Sequence, residues 1–368
     1  MPEKLKLALL FGGQSGEHEV SLMSCTSIAK NIDPNKYDVY YIGITKSGKW
    51  HLFEGNLDDI QSGEWEKSSK PIVFPGDPSY QGFFLIEDPS NIYPVDVVFP
   101  VMHGPHAEDG TIQGLLELAN IPYVGCGVMA SAVAMDKAMA KAVFASHGLP
   151  QGEYLVVQRH EFESNQQQVL NRIESVIGYP CFIKPVNMGS SVGITKAHNR
   201  QQLAEGLQHA GEYDRKLLVE AFINGREIEC SVLGNNYPEA SIVGEIIPCN
   251  EFYDYNAKYY DDGKSALIIP AELPEEKAEE IRQLAIKVYK ALDCSGMARI
   301  DFFVERDTQK VYVNEANTIP GFTRISMYPK LWEATGIPYS DLIDCLIQLA
   351  IERFKEKHSG GKELLQYG

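Results

Sequence analysis

The chain has 368 residues, of which 44% are hydrophobic and 23% charged. That length exceeds what one compact core sustains, so two or three domains are expected, and the ordinary charge content argues against extended disorder outside the tail. A formal net charge of −17 repels phosphate backbones and anionic lipid, which argues against nucleic-acid and membrane partners.

Residues 5–11 read as an apolar strand ending at Gly12 and Gly13, 20–30 as a helix that stops before Asp33 and Pro34, and 37–44 as a second strand. This βαβ opening implies a parallel sheet covered by helices. Residues 54–94, rich in Gly, Pro, Ser and acids, read as an insertion with short strands. A third buried strand, 95–101, leads into His103-Gly104-Pro105. A helix at 111–119 follows, then a strand and turn at 121–125 and a single helix at 131–146 closed by Gly148. The composition changes near Pro150. From there to about Gly225 the pattern is strand, helix, strand, glycine loop, strand, helix, strand. Strands at 227–233 and 240–246 come next, then a loop at 248–264, a helix at 274–292, a hairpin at 297–316 and a helix at 340–355. The expected domains are 1–128, 129–225 and 226–358, with 359–368 as a frayed tail. There is no internal repeat.

The seven cysteines, at 25, 126, 181, 230, 249, 294 and 345, contain no CxxC pair. Buried thiols in a reducing compartment fit better than a disulfide scaffold or a zinc ribbon. The apolar run at the start is too short for a signal peptide, and no apolar stretch is long enough to span a bilayer, so a cytoplasmic location is expected.

The most informative chemistry lies in the hairpin. Side chains alternate along a strand, so Arg299 and Asp301 share one face of its first strand, and Glu315 and Asn317 share one face of its second. If the two faces coincide, two carboxylates and an amide oxygen converge beside a guanidinium. Hard oxygen donors of this kind suit Mg²⁺; the alternative is a salt-bridged, solvated face. Residues 184–193 run Lys-Pro-Val-Asn-Met-Gly-Ser-Ser-Val-Gly after a short strand. Glycines let a backbone wrap an anion, and hydroxyl and N–H groups donate to phosphate oxygens. No Gly-Lys-Ser/Thr follows, which excludes a Walker A loop, and an ordinary mobile hairpin would look alike. The stretch from Leu217 to Glu227 ends a strand in Glu220 and then turns, either as an acceptor for an adenine amino group or ribose hydroxyls, or as plain strand–turn–strand. The Gly12-Gly-Gln-Ser-Gly-Glu17 turn sits where open α/β sheets bind ligands, but departs from the dinucleotide fingerprint. Glu17 either holds a substrate ammonium or is a first-turn acid favoured by the helix dipole. The tyrosine-rich loop 251–262 reads as a lid over a ligand or as a packed surface loop.

Together these segments resemble the ATP-grasp superfamily and, within it, the D-alanine–D-alanine ligases of the longer, A type. The resemblance runs through the glycine turn, His103-Gly with Glu108-Asp-Gly110, Met135-Asp-Lys137, the 184–193 loop, Phe252-Tyr-Asp-Tyr with Lys258-Tyr259, Arg299-Ile-Asp301, Asn314-Glu-Ala-Asn-Thr-Ile-Pro-Gly321 and the Ile-Ser-Met-Tyr-Pro-Lys-Leu-Trp stretch at 325–332. It implies an α/β, three-domain ATP-grasp fold: an N-terminal open parallel α/β domain that binds substrate, a central ATP-grasp subdomain, and a C-terminal ATP-grasp subdomain with metal site and lid. Lys137 and Lys184 would contact ATP phosphates beneath a loop carrying Ser190 and Ser191. Glu220, Ile223 and Glu227 would line the adenosine pocket, and Asp301, Glu315 and Asn317 would hold two Mg²⁺ (or Mn²⁺) ions. Glu17, linked through Ser190 to Tyr259, would orient the first D-alanine near His103. Lys258 would come from the lid, Arg299 and the Gly321 N–H would stabilise an oxyanion, and Ser326 would receive the second substrate's carboxylate. The family's His-Gly-x-x-Gly-Glu-Asp-Gly appears here as His-Gly-Pro-His-Ala-Glu-Asp-Gly, which stiffens that loop.

The implied reaction is ATP-dependent ligation of two D-alanines through an acyl phosphate, for peptidoglycan precursors, in a homodimeric enzyme. The competing readings are a ligase taking D-lactate or D-serine second, and a non-catalytic nucleotide-binding regulator. The latter would be expected to lack Arg299 or the metal ligands.

Overall fold

The computed structural model describes residues 4–247 and 266–359. The N-terminal part contains β1 (Leu5–Gly12), α1 (His18–Ala29), β2 (Tyr37–Ile44), β3 (Trp50–Phe53), α2 (Leu57–Ser62), β4 (Lys70–Val73), β5 (Gly82–Leu85), β6 (Asp88–Pro94), β7 (Val97–Val101) and α3 (Thr111–Leu118). Its seven strands form one sheet in the order β6-β5-β4-β3-β2-β1-β7. Only β2, β1 and β7 run parallel. The 54–94 stretch is an antiparallel meander that extends the same sheet. Leu52, Ile72, Phe83 and Leu85 bury into the same cluster as Ala8, Leu10 and Val98, which is why these short, polar-looking strands hold. Strand β1, flanked by β2 and β7, is apolar and buried from Leu7 to Phe11 because both faces are covered there.

The middle part begins with α4 (Val128–Met135) and α5 (Lys137–Ser146). One helix was expected at 131–146; the structure has two. Asp136 takes an extended backbone (φ −79°, ψ 94°), and its carboxylate accepts from the Met139 N–H as the N-cap of α5. The same carboxylate pairs with Lys216. An alanine-rich stretch conceals such a break, since propensity favours helix throughout and only the tertiary partner makes the cap worthwhile. Asp136→Ala is expected to cost about 1–2 kcal/mol of stability through loss of the cap. Urea denaturation checks this; an unmoved midpoint would mean that the cap contributes nothing to the stability of α5.

Next come β8 (Tyr154–Gln158), α6 (Arg159–Ser164), α7 (Gln166–Val176), β9 (Cys181–Pro185), β10 (Thr195–Ala197), α8 (Arg200–Gly211) and β11 (Lys216–Ala221). The four strands form an antiparallel sheet ordered β10-β9-β11-β8. Strand alternation divides its faces. Cys181, Ile183, Leu217 and Val219 pack on Val169, Ile173, Leu203 and Leu207 of the helices. Phe182, Lys184, Leu218 and Glu220 point the other way, with Phe182 opposite Glu220 in register.

The last part contains β12 (Gly225–Gly234), β13 (Glu239–Ile247), β14 (Ala266–Ile268), α9 (Glu275–Ala291), β15 (Gly296–Glu305), β16 (Val311–Asn317), α10 (Met327–Thr335) and α11 (Tyr339–Ser359). Its sheet is antiparallel, ordered β14-β13-β12-β15-β16. Ile228, Cys230, Ile300, Phe302 and Val313 pack under Ile281, Ala285, Val288 and Tyr289 of α9. Helix α11 binds the parts together through Arg353, which donates to the carbonyls of Gly125 and Tyr123 and to the Ser295 hydroxyl. Among the described residues no helix is long and apolar enough to cross a membrane.

Candidate active site

A cavity of 760 Å³ opens between the polar face of the middle sheet, that of the last sheet, and the carboxyl end of the N-terminal sheet. Every site residue singled out from the sequence and described here lines it. These are Glu17, His103, Lys137, Lys184, Ser190, Ser191, Glu220, Ile223, Glu227, Arg299, Asp301, Glu315, Asn317, Gly321 and Ser326. Lys258 and Tyr259 lie outside the described residues.

The two faces of the hairpin coincide. Arg299 pairs with Asn317 and Asp301 with Glu315, after which a register shift follows before Phe302. The solvated-face alternative falls, because Asp301 is only 9% exposed. Arg299 Nε and Nη2 donate to the two oxygens of Asp301 at 2.7 and 2.8 Å. Burial disfavours the Arg299 cation, and Asp301 and Glu229 outweigh it. Asn317 Nδ2 donates to Asp301 at 3.0 Å. Among the described residues no three His, Cys, Asp or Glu side chains gather as a metal cage. The donors here are two carboxylates and an amide oxygen facing a cavity, a set that suits a hard cation sharing its shell with phosphate.

The glycine turn after β1 brings Glu17 into the cavity. At Gly12 (φ +85°) a Cβ would stand 2.2 Å from the Ile44 carbonyl oxygen, so only glycine fits that turn. Glu17 stands at the N-cap position of α1 but makes no side-chain cap hydrogen bond to it; its carboxylate accepts the hydroxyl of Ser190 from across the cavity. Ser190 and Ser191 both take positive φ (49° and 60°) in the loop that carries them. A Cβ at Gly189 would stand 2.7 Å from Glu17 Oε2, so a glycine there permits the approach.

His103 is buried, with Nδ1 3.1 Å from the Ile319 carbonyl and Nε2 3.2 Å from Ser24 Oγ. A carbonyl only accepts, so Nδ1 carries the proton and Nε2 accepts. Burial lowers its pKa and keeps the ring neutral. The stiffened loop places His106 at φ 67° and buries Ala107, whose carbonyl accepts from Gln113 Nε2 at 2.8 Å. Lys137, at the start of α5, donates to the Met188 carbonyl at 2.8 Å and stands 3.5 Å from Glu315. Ser326 caps the start of α10 in position, and its Oγ accepts from the Thr323 N–H at 2.9 Å. A Cβ at Gly321 would come within 2.8 Å of that oxygen.

Sequence reasoning missed several charged groups of the cavity. Lys141, on α5, lies 2.7 Å from Glu220 Oε1, while Lys184 lies 2.6 Å from Oε2. Burial alone would raise the Glu220 carboxyl; the two ammoniums outweigh it and hold it down at about 2. The i, i+4 spacing of Lys137 and Lys141 on one helix face was the available signal. Glu108 accepts from the Gly104 N–H at 3.0 Å, and burial, reinforced by Glu17, pushes it up to about 8. Arg226 forms a two-point pair with Glu245 at the cavity wall.

The comparisons agree along the chain. Residues 6–126 match the model of the D-ala D-ala ligase N-terminus, and residues 143–348 that of the D-ala D-ala ligase C-terminus. The D-alanine–D-alanine ligase of Thermoanaerobacter pseudethanolicus is 59% identical over 356 residues, covering 96% of this chain and 99% of the relative. That of Acetivibrio thermocellus is 54% identical over 370 residues, covering 97% and 98%. Among solved structures, the D-alanine-D-alanine ligase from Coxiella burnetii superposes with a TM-score of 0.84 at 38% identity, covering 97% of this chain and 98% of that one. The VanG D-Ala:D-Ser ligase from Enterococcus faecalis gives 0.86 at 39%, covering 95% and 100%.

Proposed function

Because the chain belongs to the D-alanine–D-alanine ligase family, and so joins two D-alanines to D-alanyl-D-alanine at the expense of ATP for peptidoglycan synthesis, we propose how its residues divide that work. The observation that carries the reading is the convergence of the hairpin carboxylates, the lysines of α5 and β9, and Glu17 on one cavity.

A free carboxylate is a poor acyl donor. Transfer of the ATP γ-phosphoryl group to the carboxylate of the first D-alanine forms an acyl phosphate and ADP. The amine of the second D-alanine, having lost a proton, attacks the acyl carbon, and phosphate leaves. Phosphoryl transfer is mostly positioning and charge neutralisation. Lys137 and Lys184 hold the nucleotide phosphates under the Ser190–Ser191 loop. Glu220, Ile223 and Glu227 receive the adenosine. Asp301, Glu315 and Asn317 would hold two Mg²⁺ or Mn²⁺ ions, which neutralise phosphate charge when bound. Glu17, fixed by Ser190, takes the ammonium of the first D-alanine beside the neutral His103. Arg299 and the Gly321 N–H face the oxygen that becomes negative as the tetrahedral centre forms. Ser326 receives the second carboxylate. Lys258 and Tyr259 complete the reading as lid residues that keep water from the acyl phosphate. The proposal extends to a division of the chain at about 128 and 225, to a homodimer and to a cytoplasmic location.

A D-Ala:D-Ser ligase of high structural similarity makes the second substrate the point to test. With ATP, D-alanine and equal D-serine and D-lactate present, the expected product is D-alanyl-D-alanine with little of the mixed dipeptide or depsipeptide, read by product ratio across pH. A dominant D-serine or D-lactate product would overturn the choice of second substrate.

A further inference from the structure

Arg299 stands between two carboxylates. Its Nε lies 2.7 Å from Asp301 Oδ1 and 3.0 Å from Glu229 Oε2. Glu229 and Asp301 are register partners on β12 and β15, so their side chains leave one face of the sheet at one level. Glu229 is only 5% exposed. A buried carboxylate is costly unless paired, yet Asp301 by itself already neutralises Arg299 through both of its oxygens. The second negative charge therefore exceeds what the guanidinium requires. It has an evident use once Asp301 is called on by another cation. With Glu229 beside it, Arg299 keeps a close counter-ion when Asp301 turns away; without Glu229, every step Asp301 takes toward a metal leaves the buried guanidinium only the weaker pull of Glu315, itself read as a metal-holding residue.

We infer that Glu229 is a positioning residue: by holding the Arg299 guanidinium in the cavity wall it frees Asp301 to bind a divalent cation. This rests on the reading of Asp301 as a metal-holding residue. The nearest metal-facing carboxylate is thus supported by a neighbour on the adjacent strand that need not touch the ion, an arrangement whose loss typically weakens metal binding.

The test is Mn²⁺ titration of the full chain in the presence of ADP, without turnover, following free Mn²⁺ by electron paramagnetic resonance. Glu229→Gln is expected to weaken Mn²⁺ binding about tenfold, and Glu229→Asp, which keeps the charge, to recover part of that loss. Asp301→Asn is expected to weaken binding in its own right. Wild-type Mn²⁺ binding in E229Q, with D301N weakened, would overturn the role of Glu229 alone; wild-type binding in D301N would remove the metal reading beneath it. A lowered thermal midpoint in E229Q with unmoved Mn²⁺ binding would make Glu229 merely structural and also overturn the inference. The double variant R299M/E229Q, which removes one charge of each sign and leaves Asp301 its Asn317 donor, provides a second measurement should E229Q fold poorly. With the guanidinium gone, Glu229 has nothing to hold, so the double variant should bind Mn²⁺ as R299M does. A further loss in the double variant would contradict the mechanism.

Discussion

Glu315→Gln should lower turnover at ordinary Mg²⁺ by about 10³-fold, the range seen when one preorganised electrostatic contact to a charged transition state is removed. The substitution keeps the shape of the side chain and one carbonyl oxygen, and removes a single negative charge. That charge faces Asp301 across the hairpin, 3.5 Å from Lys137 Nζ. It is not part of the packing that holds β16 in place, since Val313 and Ala316 secure that strand from the opposite face. The fold should therefore survive while cation binding weakens, and raising Mg²⁺ or supplying Mn²⁺ should restore part of the rate. ADP release at ordinary and raised Mg²⁺, with a urea unfolding curve beside it, separates the two effects. Turnover within about tenfold of wild type at ordinary Mg²⁺ would remove Glu315 from the metal set.

The hairpin was legible because strand alternation is a strong rule: the positions of Arg299, Asp301, Glu315 and Asn317 follow once two strands are recognised, and pairing supplies the rest. The βαβ opening was legible for the same reason. Less could be read where a feature depends on partners far away in the chain. The break at Asp136 needs Lys216, eighty residues on, and local propensity shows nothing of it. The short strands at 54–94 were visible, but neither the strand before them at Trp50–Phe53 nor that together they continue the parallel sheet as an antiparallel edge, which rests on burial of Ile72, Phe83 and Leu85 against residues of β1 and β7. Glu17 illustrates a third limit. Its neighbours in sequence fit a first-turn acid equally well, and only the approach of Gly189 and Ser190 from another sheet decides what its carboxylate does. Glu229 was passed over because it alternates with apolar residues on β12 exactly as a surface acid would; the burial that makes it informative comes from β15 lying alongside.

Lys141→Met is expected to act on both stability and nucleotide binding, through Glu220. The Glu220 carboxylate is shared, one oxygen to Lys141 and the other to Lys184. With both ammoniums present, Lys184 can turn toward a phosphate and leave Glu220 still compensated. With Lys141 gone, that move would strand a buried carboxylate, so Lys184 is held back and KM for ATP should rise by about tenfold or more, tenfold being 1.4 kcal/mol. Stability should fall by about 3 kcal/mol at neutral pH, the lower end of what breaking a buried pair costs, because one partner remains. The sign of the pH dependence follows from the depressed carboxyl. Glu220 sits at about 2 in the folded chain against an ordinary 4.5, so its pairing stabilises fully above the ordinary value and is lost as pH falls through the folded one. Removing Lys141 raises the folded value. The stability gap between wild type and K141M should therefore be widest at neutral pH and narrow as pH drops below about 4.5. Urea midpoints across pH, together with initial rates at varied ATP, measure both. A gap that stays constant with pH would mean that Lys141 acts through packing on Tyr154, whose ring centre lies 5.3 Å from its ammonium, and not through Glu220. An unchanged KM for ATP would mean that Lys184 does not need to leave Glu220 in order to bind the nucleotide.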